Sequence, residues 1–412
     1  MGPLAIFDKS FLQSLNANEA ALFDVLFRTN ITPVFYLETL ADLHKENSRR
    51  TPEAEVGIIA SKTPSWGSCV NASHVTMCAG ELMGHHVGMK QIPAIAGGRP
   101  VEVNGKKGLY FKPSREQVAF ARWQDGRFHD VERSMAKEWR EVVLKAPKAE
   151  PVKGGIRFRD LAEVRTFTQG VIAHADSRWM VFNGGIEAVD FSQEEMWRAV
   201  RLWFDRGFPP IALHAPYLDY VAQVDLFFAA AVSTGHISAE RASNKIDSAY
   251  LYYLPFTQIF ISGDNLHERM TPQFLQGKQK FVWGPDLKAD LRRLVDVFKA
   301  HPDIERLGLA KVASMPPNDD TGLIAQLYDT YLPRWRTRQI EVPPEAINDN
   351  PKLHAEIMQQ MKAMETAARK PLRKPVRLAD YDRENLDMLT MERRVAKRRG
   401  DWQFLPADLK DE

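Results

Sequence analysis

LAIFDKS, residues 4–10, decides the fold: a short apolar run from Leu4 to Phe7 closes on Asp8. Consecutive apolar residues without polar alternation are the pattern of a strand buried on both faces, as in a parallel sheet. Immediately downstream, NEAALFDVLFR (18–28) has helical spacing. ITPVFY (31–36) then offers β-branched and aromatic residues for a second strand, after which Glu38 opens LETLADLHKE, with Leu37, Leu40 and Leu43 at helical intervals. Strand, helix, strand, helix in this order predicts an α/β fold with a parallel sheet sandwiched by helices.

The pattern resumes late in the chain. SAERASNKIDSAYLYYLPF (238–256) reads as a helix that Pro255 ends, and QIFISGD (258–264) as a buried strand closing on Asp264, with Gly263 permitting a sharp turn. IERLGLAKV (304–312) is a candidate further strand. Between the two halves the texture is mixed, with Pro, Gly and charge scattered through SRRTPEAE, AIAGGRP and VNGKKGLYF, where Asn104-Gly105 predicts a hairpin turn. Residues 115–144 have helical spacing, and DFSQEEMWRAVRLWFDRGFPP carries a capping box at Ser192 and Glu195 and a stop at Gly207 and Pro209, with Met196, Val200 and Trp203 on one core face. The expected organisation is a core in two halves, 1–46 and 211–310, a large mixed insertion at 47–210, and a helical, charged C-terminal extension at 311–412.

A chain of 412 residues, 44% hydrophobic and 26% charged, is ordinary globular composition, and more than one compact unit is expected at this length. A net charge of +2 argues against binding nucleic acid through overall charge, although it permits a local basic groove. Basic runs at ARKPLRKPVR and ERRVAKRRG read first as solvated faces and second as phosphate contacts. With two cysteines, no signal-peptide pattern and no long apolar span, a cytoplasmic protein with no membrane partner is expected. CVNASHVTMCAGELMGHH gathers Cys69, His74, Cys78, His85 and His86, but the spacing matches no compact pair of ligand knuckles, so zinc is not expected there. Asp225, inside VAQVDLFFAAAV, is expected to be buried and so to need a partner, an arginine in preference to a part in the metal site.

The chemistry lies in the acids. Asp8 and Asp264 close apolar strands, and in an open parallel sheet ligands bind beyond the carboxyl ends of the strands. Glu38 and Asp247 are placed to face the same crevice. Carboxylates so gathered suit hard divalent cations, which activate water against a phosphodiester.

Three stretches then resemble the PIN-domain family, mostly metal-dependent ribonucleases with relatives that cut flap DNA. AIFDKS is similar to its first strand with Asp and Ser, here Asp8 and Ser10. FYLETLADL is similar to its Glu-bearing helix, here Glu38. KIDSAYLYYLPFTQIFISGDNLH is similar to its closing helix-strand unit, here Asp247 and Asp264. The resemblance implies a PIN-like core that hydrolyses phosphodiesters, RNA in preference to DNA, with Mg²⁺ or Mn²⁺ held by Asp8, Glu38, Asp247 and Asp264. Ser10, Ser262 and Asn265 are candidates to orient water or phosphate oxygens. The alternative is a non-catalytic α/β scaffold that binds a protein partner through its insertion or tail.

Overall fold

The computed structural model describes residues 2–44, 50–95, 98–103, 106–111, 113–124, 136–138, 140–141, 157–189, 191–241, 243–337, 376–377 and 397–407. Two compact units are present: one comprises Met1–Ala96, Pro113–Tyr331 and Arg394–Glu412, the other Gly97–Lys112 and Leu332–Arg393. Among the described residues the principal strands are β1 (Leu4–Phe7), β2 (Arg28–Ile31), β3 (Cys69–Val70), β4 (Gly98–Val103), β5 (Lys106–Phe111), β6 (Ile259–Ser262) and β7 (Lys280–Trp283).

The first unit is α/β. Its five strands run all parallel in the order β3-β2-β1-β6-β7, flanked by helices. β1 is central and buried along its whole length because both of its faces carry helices, which is why its sequence shows no alternation. Phe7 meets Phe23 and Phe35 edge-on at ring-centroid distances of 5.7 and 5.2 Å, fixing the helices that follow β1 and β2 against the sheet. Chain order reverses direction across the sheet at β1: β2 and β3 build to one side, β6 and β7 to the other. The crevice beyond the carboxyl ends of β1 and β6 is therefore a topological switch point.

Three expectations are corrected. The second strand is Arg28–Ile31, and Val34, Phe35 and Tyr36 are helical: Thr32 caps the helix by accepting from the Phe35 amide at 3.3 Å, and Pro33 in the first turn has its φ preset. Glu38 thus lies inside a helix that spans Pro33–Ala41 rather than at its start. IERLGLAKV is no strand but two single helical turns, Ile304–Leu307 and Leu309–Val312, around Gly308 at φ +76°; the fifth strand is Lys280–Trp283. Asp225 is part exposed and pairs with Lys245 and the Tyr252 hydroxyl, not with an arginine.

The stretch expected as an insertion contributes β3 to the central sheet. Within it the Ser192–Glu195 capping box forms as the sequence implies, opening the helix Gln193–Asp205, and Gly207 follows at φ +77°. In the second unit β4 and β5 form an antiparallel ladder from Gly98↔Phe111 to Val103↔Lys106; the turn residues Asn104 and Gly105 lie outside the described residues. Most of 338–396 lies outside them too, including the larger part of the expected charged helical extension and of ARKPLRKPVR.

The described C-terminal residues 397–407 are not a solvated basic tail. Arg398–Arg399 pairs with Trp402–Gln403, Trp402 and Phe404 are buried, and Arg399 reaches Asp24, a fully buried carboxylate that also accepts from the Ser65 and Trp66 amides. Removing one partner of a buried ion pair strands the other. Arg399→Met should therefore destabilise the chain by about 3–5 kcal/mol, read as a lowered urea midpoint, with part recovered in Asp24→Asn/Arg399→Met. An unchanged midpoint would contradict a structural role for this strip.

Candidate functional site: an acidic crevice at the switch point

Because β1 and β6 pair in parallel with Phe7 opposite Ile261, the residues that leave them emerge together. Asp8 follows β1 and caps the helix Lys9–Ser14, its Oδ1 accepting from the Phe11 amide at 2.9 Å. Its Oδ2 accepts from Ser10 at 2.6 Å and from Ser262, the last residue of β6, at 2.8 Å. Ser262 is fully buried. Asp8 and Ser262 thereby lock the two strand ends side by side.

His267, in the helix Asn265–Met270, completes this lock. The single Ser262 hydroxyl proton goes to Asp8, so at the 2.7 Å contact between Ser262 Oγ and His267 Nδ1 the ring nitrogen donates. Nε2 donates to the Asp247 carbonyl at 2.8 Å. With both ring nitrogens donating, His267 is an imidazolium. Burial opposes that charge, but the Asp8 carboxylate, 3.5 Å from Nδ1, outweighs it and holds the His267 pKa up at about 9. Burial likewise works to raise the Asp8 pKa; the hydrogen bond and charge of His267, with Ser10 and the Phe11 amide, bring it below the usual carboxylate range.

Glu38 arrives from the Pro33–Ala41 helix. One oxygen accepts from the Tyr250 hydroxyl at 2.8 Å, and the other lies 3.1 Å from the Lys9 ammonium, which also bonds Asp42 at 3.0 Å. Glu38 and Asp42 stand one helical turn apart and grip Lys9 between them. Asp264 caps the helix Asn265–Met270 through the Leu266 amide at 2.7 Å, and its second oxygen is 3.9 Å from Arg241.

Asp247 differs from the others. It is only 8% exposed, and among the described residues its Oδ2 has no hydrogen-bond partner. Burial first, then the negative charges of Glu38 and Asp264, push its pKa up to about 7 against the pull of His267 and Arg241. That coupling brings Glu38, Asp247 and Asp264 into one electrostatic neighbourhood. Asp8 joins through His267 and through Tyr250, whose hydroxyl is raised well above its usual range by burial and by Glu38, Asp8 and Asp247.

Of the remaining candidates, Ser10 and Ser262 serve Asp8 directly, whereas Asn265 is exposed at the start of its helix. Lys9, His267, Tyr250, Asp42 and Arg241 belong to the site without having been singled out in the sequence. Cys69 Sγ lies on the Thr29 carbonyl, His74 packs on Tyr252, and Cys78 is buried in the helix His74–Leu82.

Carboxylate oxygens with one unpartnered among them fit a hard cation in donor type. Among the described residues, however, no three His, Cys, Asp or Glu side chains are gathered as a ready-made metal cage. The crevice carries its own positive charges instead. No family model, no curated protein and no solved structure matches this chain.

Between about pH 4 and 7 folded Asp247 retains a proton that the unfolded chain has released, so its ionisation erodes stability as pH rises through that window. Asp247→Asn removes the penalty. In chelator, the variant's melting temperature should move from at or below the parent's near pH 4 to above it near pH 8. A difference independent of pH would contradict the strained carboxylate.

Proposed function

We propose that the chain is a metal-dependent phosphodiesterase, a nuclease with a PIN-like core, acting in a cytoplasmic setting. The observation that carries this reading is the buried, unpartnered Asp247 oxygen among the acids of the switch-point crevice. The all-parallel five-strand sheet flanked by helices is compatible with such a core. No helix among the described residues is long and apolar enough to cross a membrane.

Asp247, Asp264 and Glu38 would hold Mg²⁺ or Mn²⁺, and Asp8 completes the acidic set from β1. A bound divalent ion would lower the pKa of a coordinated water and shield the developing charge on the leaving oxygen. The chain's own residues do the rest. Asp8, clamped by Ser10, Ser262 and His267, fixes the spacing of the strand ends and hence of the ligands. Tyr250 orients Glu38, and the buried Asp247 carboxylate offers its unpartnered oxygen to the ion. RNA is the proposed substrate over DNA on the strength of the resemblance alone.

One observation favours a second reading, the non-catalytic scaffold: Lys9 and His267 already neutralise Glu38 and Asp8 from within. Labelled single-stranded RNA and DNA, incubated with Mg²⁺ or Mn²⁺ and with chelator, separate the two readings. The nuclease reading predicts cleavage that needs the metal and falls by about 100-fold or more in Asp247→Asn and Asp264→Asn. Absence of cleavage, or equal cleavage by parent and variants, favours the scaffold.

A further inference from the structure

Large apolar side chains that reach solvent are not scattered over the described residues: six of the ten lie between Trp179 and Leu213. Single exposed hydrophobics are ordinary, whereas a concentration of them marks a surface that another molecule covers. The six are Trp179, Met180, Trp197, Phe204, Phe208 and Leu213. They come from the helix Ser177–Val189, the helix Gln193–Asp205 and the short segment after it, all within the first unit.

The helix Gln193–Asp205 explains how the patch arises. It docks on the core through a narrow stripe, Ala199 and Trp203, one turn apart and both buried. On its opposite side, where a surface helix ordinarily carries polar residues, stand Trp197 and Phe204, two turns apart and 60% and 61% exposed, with half-buried Val200 beside them. The helix is thus apolar on two faces, and only one of them is buried.

The exposed rings are held rigidly. Trp203, fixed by its indole N–H to the Pro209 carbonyl at 2.9 Å, forms their base. Trp179 stacks on it at 5.7 Å, Phe208 meets it edge-on at 5.1 Å, and Phe204 meets Phe208 at 5.3 Å. The chain turns at Gly207 and Phe208, whose amides return to the Phe204 and Trp203 carbonyls, and Phe208 is held there at φ +53°. That left-handed conformation suits Gly207 but strains a bulky residue, and such strain collects where a ligand is gripped. A preformed face of this kind binds with little ordering cost.

What covers the face follows from its charges. Residues 177–214 hold four arginines, no lysine and five acids, so the surface exerts no net pull on nucleic acid or on an anionic membrane. It is instead complementary to itself. One flank of the Trp197–Phe204 ridge carries Arg198 near one end and Asp205 near the other, both exposed. A two-fold axis perpendicular to the helix, passing beside Val200 and Arg201, lays Trp197 against the partner's Phe204, and the same rotation brings Arg198 beside the partner's Asp205. Arg201, at the centre, then lies over aromatic rings, on which a guanidinium stacks.

We propose that this face is the interface of a homodimer, with the two Gln193–Asp205 helices packed antiparallel. The assembly does not depend on the reading of the acids as a metal site. Sedimentation velocity of the full chain from about 1 to 100 μM tests it. The parent should sediment as a dimer that dissociates on dilution, and Trp197→Asp and Phe204→Asp should each weaken association by about 30-fold or more. Both residues are exposed, so the far-ultraviolet circular dichroism of the variants should match the parent's. Arg198→Glu and Asp205→Arg each set like charges across the axis and should weaken association, whereas Arg198→Glu/Asp205→Arg reverses both members of each pair and should recover it. A foreign partner cannot produce that recovery.

A parent that is monomeric throughout overturns the proposal, and binding of a single-stranded oligonucleotide or of phosphatidylserine vesicles by that monomer, lost in Phe204→Asp, gives the face to that ligand instead. A dimer indifferent to Trp197→Asp and Phe204→Asp is built elsewhere on the chain and overturns it as well. Weakened single charge variants without recovery in the double overturn the antiparallel arrangement.

Discussion

The hydrogen bond between Ser262 and Asp8 is the constraint on which the site depends. It joins the ends of β1 and β6, which are neighbours in the sheet but separated by some 250 residues of chain. Every other acid is positioned relative to that seam: Asp264 by its cap two residues beyond Ser262, Asp247 by the backbone bond it offers His267, Glu38 by the Lys9 that follows Asp8. An oxygen at the seam must be charged to hold Ser10, Ser262 and His267 together, and Asp8 is kept ionised by those same partners. Fold closure and site geometry are thus one interaction seen from two sides.

Two kinds of carboxylate result. Asp8 and Asp264 do structural work as caps, and a structural role suffices to explain an acid at those positions. Asp247 has no such explanation. Among the described residues it caps no helix through its side chain and pairs with no cation at bonding distance, and it is buried within the influence of two other acids. Retaining an uncompensated carboxylate there opposes folding, and strain of that kind collects where a ligand is to be bound. The internal cations Lys9 and His267 limit the penalty for the rest of the cluster without reaching the free Asp247 oxygen.

Much of the central sheet is legible in the sequence because β1 and β6 are unbroken apolar runs closing on Asp, and a strand buried on both faces cannot look otherwise. The capping box at Ser192 is equally plain. β3 and β7 are not legible: one has two residues, and the other opens on Lys280 at the sheet edge, so neither offers a period to read. Thr32-Pro33 did carry a helix-start signal, which outweighs the β propensity of Val34, Phe35 and Tyr36 that pointed to a strand. The acids were visible as strand-end and helix residues. Lys9 and His267 were not, since a buried cation beside an acid is indistinguishable in sequence from a solvated one until the fold brings its partners in from other elements.

The proposed function makes the switch-point crevice a divalent-metal site built around Asp247. The most direct measurement is anomalous diffraction at the manganese edge from crystals soaked in Mn²⁺. That proposal predicts a single strong peak within coordination distance of Asp247 Oδ2 and an oxygen of Glu38 or Asp264. A crevice without a peak at saturating Mn²⁺ would contradict it.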